Sequence, residues 1–163
     1  MPGPAQMGQV AGAVDQIQEA LAICDALEFR QARGRYLGLL CETQILVGAV
    51  DDALESAEQA VHANPDGLLY HPYALRLRGD LKMRKGRSDE ARRDFDQAIE
   101  ISRRMSAKSD QLRATISLAR LLAKQGQRRE AHAMLTDIYN RFTEGFDTAD
   151  LKEAKSLLDE LNL

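Results

Sequence analysis

Tryptophan is absent from this 163-residue chain, aromatic residues make up only 5%, and there are four prolines and two cysteines. Glycine, proline and β-branched residues are sparse over long stretches, where Ala, Leu, Glu, Gln, Arg and Lys dominate. That composition excludes most β-sandwiches and barrels and points to an all-helical chain. Cys24 and Cys41 are too few for a disulfide framework and lack metal-ligand spacing, so two free thiols in a reducing compartment are expected. The longest apolar runs, such as Ile45–Val50, fall far short of the roughly 20 residues needed to cross a bilayer. The first ten residues carry neither a basic segment nor an apolar one, so no signal peptide is expected and a cytoplasmic location follows by default.

Chemical motifs are missing as well. There is no glycine-rich phosphate loop, no His-Glu-x-x-His and no Cys-x-x-Cys. His62, His71 and His132 are scattered over separate segments, where surface or capping roles are expected. No serine has the setting of a nucleophile elbow. Asp51-Asp52 and Asp159-Glu160 are adjacent in sequence and so point in different directions on a helix. No catalytic set, cofactor or metal site is expected from these residues.

A chain of this length is about one domain and can bury roughly two-thirds of the surface exposed when unfolded. Hydrophobic residues at 44% and charged residues at 29% suit a globular protein. Charge is distributed unevenly along it. Residues 1–75 hold three Lys/Arg and ten Asp/Glu, residues 76–129 sixteen and seven, and residues 130–163 three and eight. A segment of +9 thus lies between acidic ends.

Self-similarity carries the fold. Gly8, Gly48, Gly86 and Gly126 are 40, 38 and 40 residues apart. Each is followed five residues later by Ala13, Ala53, Ala91 or Ala131, then by Ile17, Ala57, Phe95 or Leu135, then by Ala20, Ala60, Ala98 or Ile138. A glycine suits the left-handed residue that ends a helix, and the three later columns share one face of the next. Seven residues before each internal glycine stands a small side chain, Cys41, Gly79 or Ala119, on a preceding helix. Each unit therefore reads as helix, short turn, helix. Asn64-Pro65 closes the first unit, and Arg78 and Lys82 stand where the second would carry large apolar residues.

These columns resemble the tetratricopeptide repeat (TPR), over roughly residues 8–143, with a period longer than the usual 34. The resemblance implies a right-handed superhelical stack of antiparallel helix pairs. The expected organisation is one domain over 1–163. It comprises an orphan second helix at 8–30, repeats at 31–65, 70–105 and 109–143, and a capping helix at 147–162 with Asp147 as its N-cap. Eight helices are expected, near 9–29, 32–47, 51–63, 71–85, 88–105, 109–125, 127–142 and 148–161. The series from Tyr70 to Leu158 also looks like the carboxy-terminal repeat region of bacterial adenylate/guanylate cyclase-like or AAA-ATPase signalling regulators, none of whose catalytic parts are present here.

The stack implies a concave surface lined by the first helix of each unit. Steps of three and four residues put Arg35, Gly38, Glu42 and Leu46 on that surface in the first unit. They put Tyr73, Arg76, Asp80 and Arg84 there in the second, and Arg113, Ile116, Arg120 and Lys124 in the third. The last two units show five cations against one acid, which predicts a basic groove receiving an acidic peptide or protein partner. Arg35, Tyr73, Arg76, Arg84, Arg113, Arg120 and Lys124 are the expected contacts. The orphan second helix at 8–30 lacks a first helix of its own, so either the chain is cut from a longer protein or another molecule covers that face. An exposed stripe through Val10, Val14, Ile17 and Leu21 is expected there, with a homodimer formed through it. A non-catalytic interaction scaffold is the favoured reading. A nucleic-acid-binding helical protein and a fragment of a cyclase or ATPase protein are the alternatives. Nucleic acid is disfavoured because the basic segment's only aromatic, Phe95, belongs to the repeat core.

Overall fold

The computed structural model describes residues 4–63 and 69–162, with the side chains of residues 4–9 and 11 outside the description. It contains eight helices among these residues and no strand. They are α1 (Pro4–Ala26), α2 (Arg30–Leu46), α3 (Val50–Ala63), α4 (His71–Arg84), α5 (Ser88–Arg104), α6 (Lys108–Lys124), α7 (Arg128–Tyr139) and α8 (Ala149–Leu161). Sequential helices pack as antiparallel neighbours, and α2, α4, α6 and α8 also touch one another in series. The result is a superhelical stack of helix pairs, as expected. The loop expected at Asn64–Gly67 lies outside the described residues.

The turns explain the glycine column. Gly48, Gly86 and Gly126 have φ of +80°, +75° and +80°, the left-handed region that only glycine enters without a steric penalty. After each, the next amide reaches back five residues: Ala49 to the Gln44 carbonyl, Arg87 to Lys82 and Gln127 to Leu122, at 2.8–2.9 Å. This is the Schellman arrangement, which satisfies carbonyls left open by the helix end. The same turn recurs between pairs with other residues in the left-handed position, Glu28 at φ 54° and Ser106 at φ 57°. There Phe29 and Ala107 reach back to Cys24 and Ser102. Gly8 does not follow the column: it lies inside α1 rather than at a helix end.

The remaining columns form the core. Ala53, Ala91 and Ala131, then Ala57, Phe95 and Leu135, then Ala60, Ala98 and Ile138 are all buried. The small residues Cys41, Gly79 and Ala119 are buried opposite them. Their size is set by the partner: a Cβ on Gly79 would stand 2.5 Å from Phe95 Cε1, so the ring fills the space that the missing side chain leaves. At the far end α8 lays Leu151, Ala154, Leu157 and Leu161 against α6 and α7 and closes the apolar core. Its N-cap is Thr148 rather than Asp147, and the Thr148 hydroxyl donates to the Gly145 carbonyl at 2.7 Å.

Arg78 and Lys82 face α5, not the concave side. Arg78 donates twice to Asp94, at 2.9 and 2.7 Å, and Lys82 Nζ lies 2.9 Å from the same carboxylate. Asp94 and Lys82 are only 4% and 7% exposed. An ionic cluster thus replaces the apolar contact that the repeat pattern leads one to expect, and the phase of α4 is preserved. His71 also departs from expectation: it is buried at the start of α4 rather than on the surface.

Candidate functional site

The successive first helices α2, α4 and α6, together with α8, enclose an open cavity of about 450 Å³. Four of the expected contacts line it: Tyr73 and Arg76 from α4, Arg113 and Arg120 from α6. Glu42, Asp80 and Ile116 of the same stripes join them, as do Ser117, Asp150 and Glu153. Tyr73 rests against α2, and its ring lies 5.8 Å from the Arg76 guanidinium carbon, within cation–π range. Burial first, then the charge and hydrogen bonding of Glu42, push the Tyr73 hydroxyl well above its ordinary pKa.

A second cavity of about 480 Å³ adjoins the first towards the carboxy-terminal ends of α2 and α4. Glu42, Arg76, Asp80 and Arg120 line both, so the two form one groove. The second section adds Ile45, Leu46, Leu77, Met83 and Arg84. Arg35 and Lys124 are exposed and line neither section; Arg35 instead lies 6.0 Å from the Tyr70 ring.

The electrostatics differ from the expected uncancelled basic field. Arg76 pairs with Asp80 at 3.0 Å and reaches Glu42 at 4.0 Å. Arg113 donates to Asp150 at 2.8 Å and Arg120 lies 2.6 Å from Glu153. In the first section four carboxylates therefore face three guanidinium groups. The missed acids come from α8, whose charges were read in the sequence only as those of a capping helix. A signal was present, because the buried Leu151, Ala154 and Leu157 place Asp150 and Glu153 on an adjoining edge of that helix. Asp80 is raised above the ordinary carboxylate range by burial, against the opposing pull of Arg76 and a hydrogen bond with Ser117.

The expected apolar stripe at the amino end is not exposed. Val10, Val14, Ile17 and Leu21 are half-buried on the face of α1 that packs towards α2. Cys24, on the same helix, is buried. Exposed apolar residues at that end are instead Ile23, Leu27 and Phe29.

Residues 71–144 match the family model of the tetratricopeptide repeat. That segment is similar to tetratricopeptide repeats. Its fold is similar to crystal structures of a putative kinesin light chain with nearly identical TPR-like repeats from Podosopora anserina. One is 20% identical with a TM-score of 0.70, covering 96% of this chain and 79% of that one. A variant of that protein gives 21% identity and 0.73, covering 96% and 78%. BtubC (BKLC) from P. vanneervenii is 17% identical with a TM-score of 0.77, covering 98% of this chain and 66% of that one. A comparison with curated proteins finds no match. Among the described residues no helix is long and apolar enough to cross a membrane.

Proposed function

We propose that this TPR-like domain is a non-catalytic scaffold whose concave groove receives an acidic peptide segment of a protein partner. The observation behind this reading is the line of guanidinium groups, Arg76, Arg84, Arg113 and Arg120, along consecutive first helices and beside the Tyr73 ring. The internal carboxylates do not oppose it strongly. The Arg113–Asp150 and Arg120–Glu153 pairs are between 30% and 46% exposed, and such pairs contribute about 0–1 kcal/mol each. A peptide carboxylate exchanged for an internal one therefore meets a small barrier and gains the partner's remaining contacts. Placement within a larger signalling or transcriptional regulator, and self-association through the exposed Ile23, Leu27 and Phe29, belong to the same proposal.

Selection of displayed dodecapeptides on the purified chain tests the reading. Bound sequences should be enriched in Asp and Glu, and reversing Arg76, Arg84, Arg113 and Arg120 together to Glu should remove binding while the helical circular dichroism persists. Recovery of no acidic enrichment, or binding indifferent to the fourfold reversal, overturns it. Duplex DNA titrated across salt concentrations tests the nucleic-acid alternative, since phosphate binding weakens steeply with salt. Absence of salt-dependent DNA binding is expected.

A further inference from the structure

The groove is not uniform along its length. In its α6–α8 section each arginine is held by a carboxylate of α8, Arg113 by Asp150 and Arg120 by Glu153. Arg84, at the other end, is exposed and takes part in none of the ion pairs among the described residues. It lines the section that Ile45, Leu46, Leu77 and Met83 share with Glu42, Arg76, Asp80 and Arg120. Leu46 is 69% exposed. An apolar surface and an unsatisfied guanidinium thus share one cavity, while the rest of the groove is polar and internally paired.

We infer that the α2–α4 end of the groove is the specificity-determining subsite, and that its occupant is a peptide segment carrying a large aliphatic side chain next to a carboxylate. The aliphatic group covers Leu46 and Met83, and the carboxylate pairs with Arg84. This rests on the peptide-binding reading above and assigns the discriminating part of it. Charge complementarity selects the sign: Asp80 and Glu42 share the section but Asp80 is paired with Arg76, and Arg84 makes no ion pair of its own, so a carboxylate there is gained without breaking one. The apolar requirement follows from the aliphatic lining, whose burial contributes about 25 cal/mol per Å² removed from water. Arg113 and Arg120 give less discrimination, because a peptide acid reaching them only replaces Asp150 or Glu153.

Four fluorescein-labelled dodecapeptides of one Gly/Ser background distinguish the terms, with repeated Leu-Glu, Leu-Lys, Ser-Glu or Ser-Lys pairs. By fluorescence anisotropy the Leu-Glu peptide should bind at least tenfold tighter than each of the others. Arg84→Glu should reverse the preference towards Leu-Lys, and Leu46→Asp should lower Leu-Glu affinity at least tenfold. Both positions are exposed, so the helical circular dichroism and urea midpoint should stay unchanged. The double variant Arg113→Glu/Arg120→Glu should weaken Leu-Glu binding less than Arg84→Glu does and should leave the preference for Leu-Glu over Leu-Lys in place. If the double variant abolishes binding and Arg84→Glu does not, the subsite is wrongly placed although the groove still binds acidic peptide. If Ser-Glu binds as well as Leu-Glu, the apolar half of the inference fails. If no peptide binds, both the subsite and the peptide-groove reading fall.

Discussion

The Tyr73 ring occupies the space in which a side chain on Gly38 would begin. A Cβ added to Gly38 would fall inside van der Waals contact with Tyr73 Cε1 and within 3.1 Å of Cδ1 and Cζ. One absent methyl on α2 therefore sets the seat of an aromatic that lines the groove from α4. Gly38→Ala should push the ring out and lower stability by about 1–3 kcal/mol, as overpacking does. Gly34→Ala, one turn earlier, is the contrast. Its Cβ would meet only the Ala60 carbonyl at 3.7 Å and Ala63 Cβ at 3.9 Å, which is ordinary contact. That variant should be stabilised by about 0.5–1 kcal/mol through helix propensity. Urea titration of both variants checks the pair of outcomes.

Asp94 is buried between two cations, and its loss would leave Arg78 without a partner and Lys82 with only the more distant Glu90, at 3.8 Å. Asp94→Ala should cost about 3–5 kcal/mol, the range for breaking a buried ion pair from one side. Replacing Arg78, Lys82 and Asp94 together by Met, Leu and Leu should recover most of that loss. A triple variant no more stable than Asp94→Ala would show that the cluster is held by something other than its mutual charge.

Much of this fold could be read from residue spacing, because small and bulky residues recur at 38–40-residue intervals and must share a face. What could not be read was the identity of partners across the stack. Arg78 and Lys82 break the apolar pattern, and only the position of Asp94 on α5, sixteen residues past Arg78, shows why. The apolar spacing of α8 puts Asp150 and Glu153 on an adjoining edge, but that this edge meets the groove is decided by α8 packing beside α6, which the spacing does not specify. The turns at Glu28 and Ser106 escaped notice because no glycine marks them.

Those two turns supply a further test. A non-glycine residue in the left-handed region costs about 1–2 kcal/mol. Ser106→Gly should therefore raise stability by about 1 kcal/mol, while Gly86→Ala, at φ +75°, should lower it by about that amount or more. Thermal unfolding followed at 222 nm reads both, and equal shifts of the same sign would contradict the assignment.

His71 should make stability depend on pH. Burial first, then the positive charge of Arg78 and the nearby His62, holds its pKa below the ordinary 6.5, and its Nδ1 is buried without a partner. The unfolded chain takes up a proton near pH 6.5 while the folded chain resists it. The associated stability is full above that pH and is lost as pH falls below it. Urea midpoints at pH 7.5 and 5.5 should therefore separate more for the native sequence than for His71→Gln. A difference as large in the variant would assign the effect elsewhere.

The shared Schellman turn has a consequence for how such a chain tolerates rearrangement. Gly86 and Gly126 sit in the same conformation, with the same backbone hydrogen bonds, at the ends of α4 and α6. Excising residues 87–126 would join one copy of that junction to the other, handing α4 directly to α7 without a new connection having to be solved. Ala131 and Leu135 would then stand where Ala91 and Phe95 do. The junctions act as standard couplings, and the length of such a chain can change by whole hairpins while its local geometry is conserved.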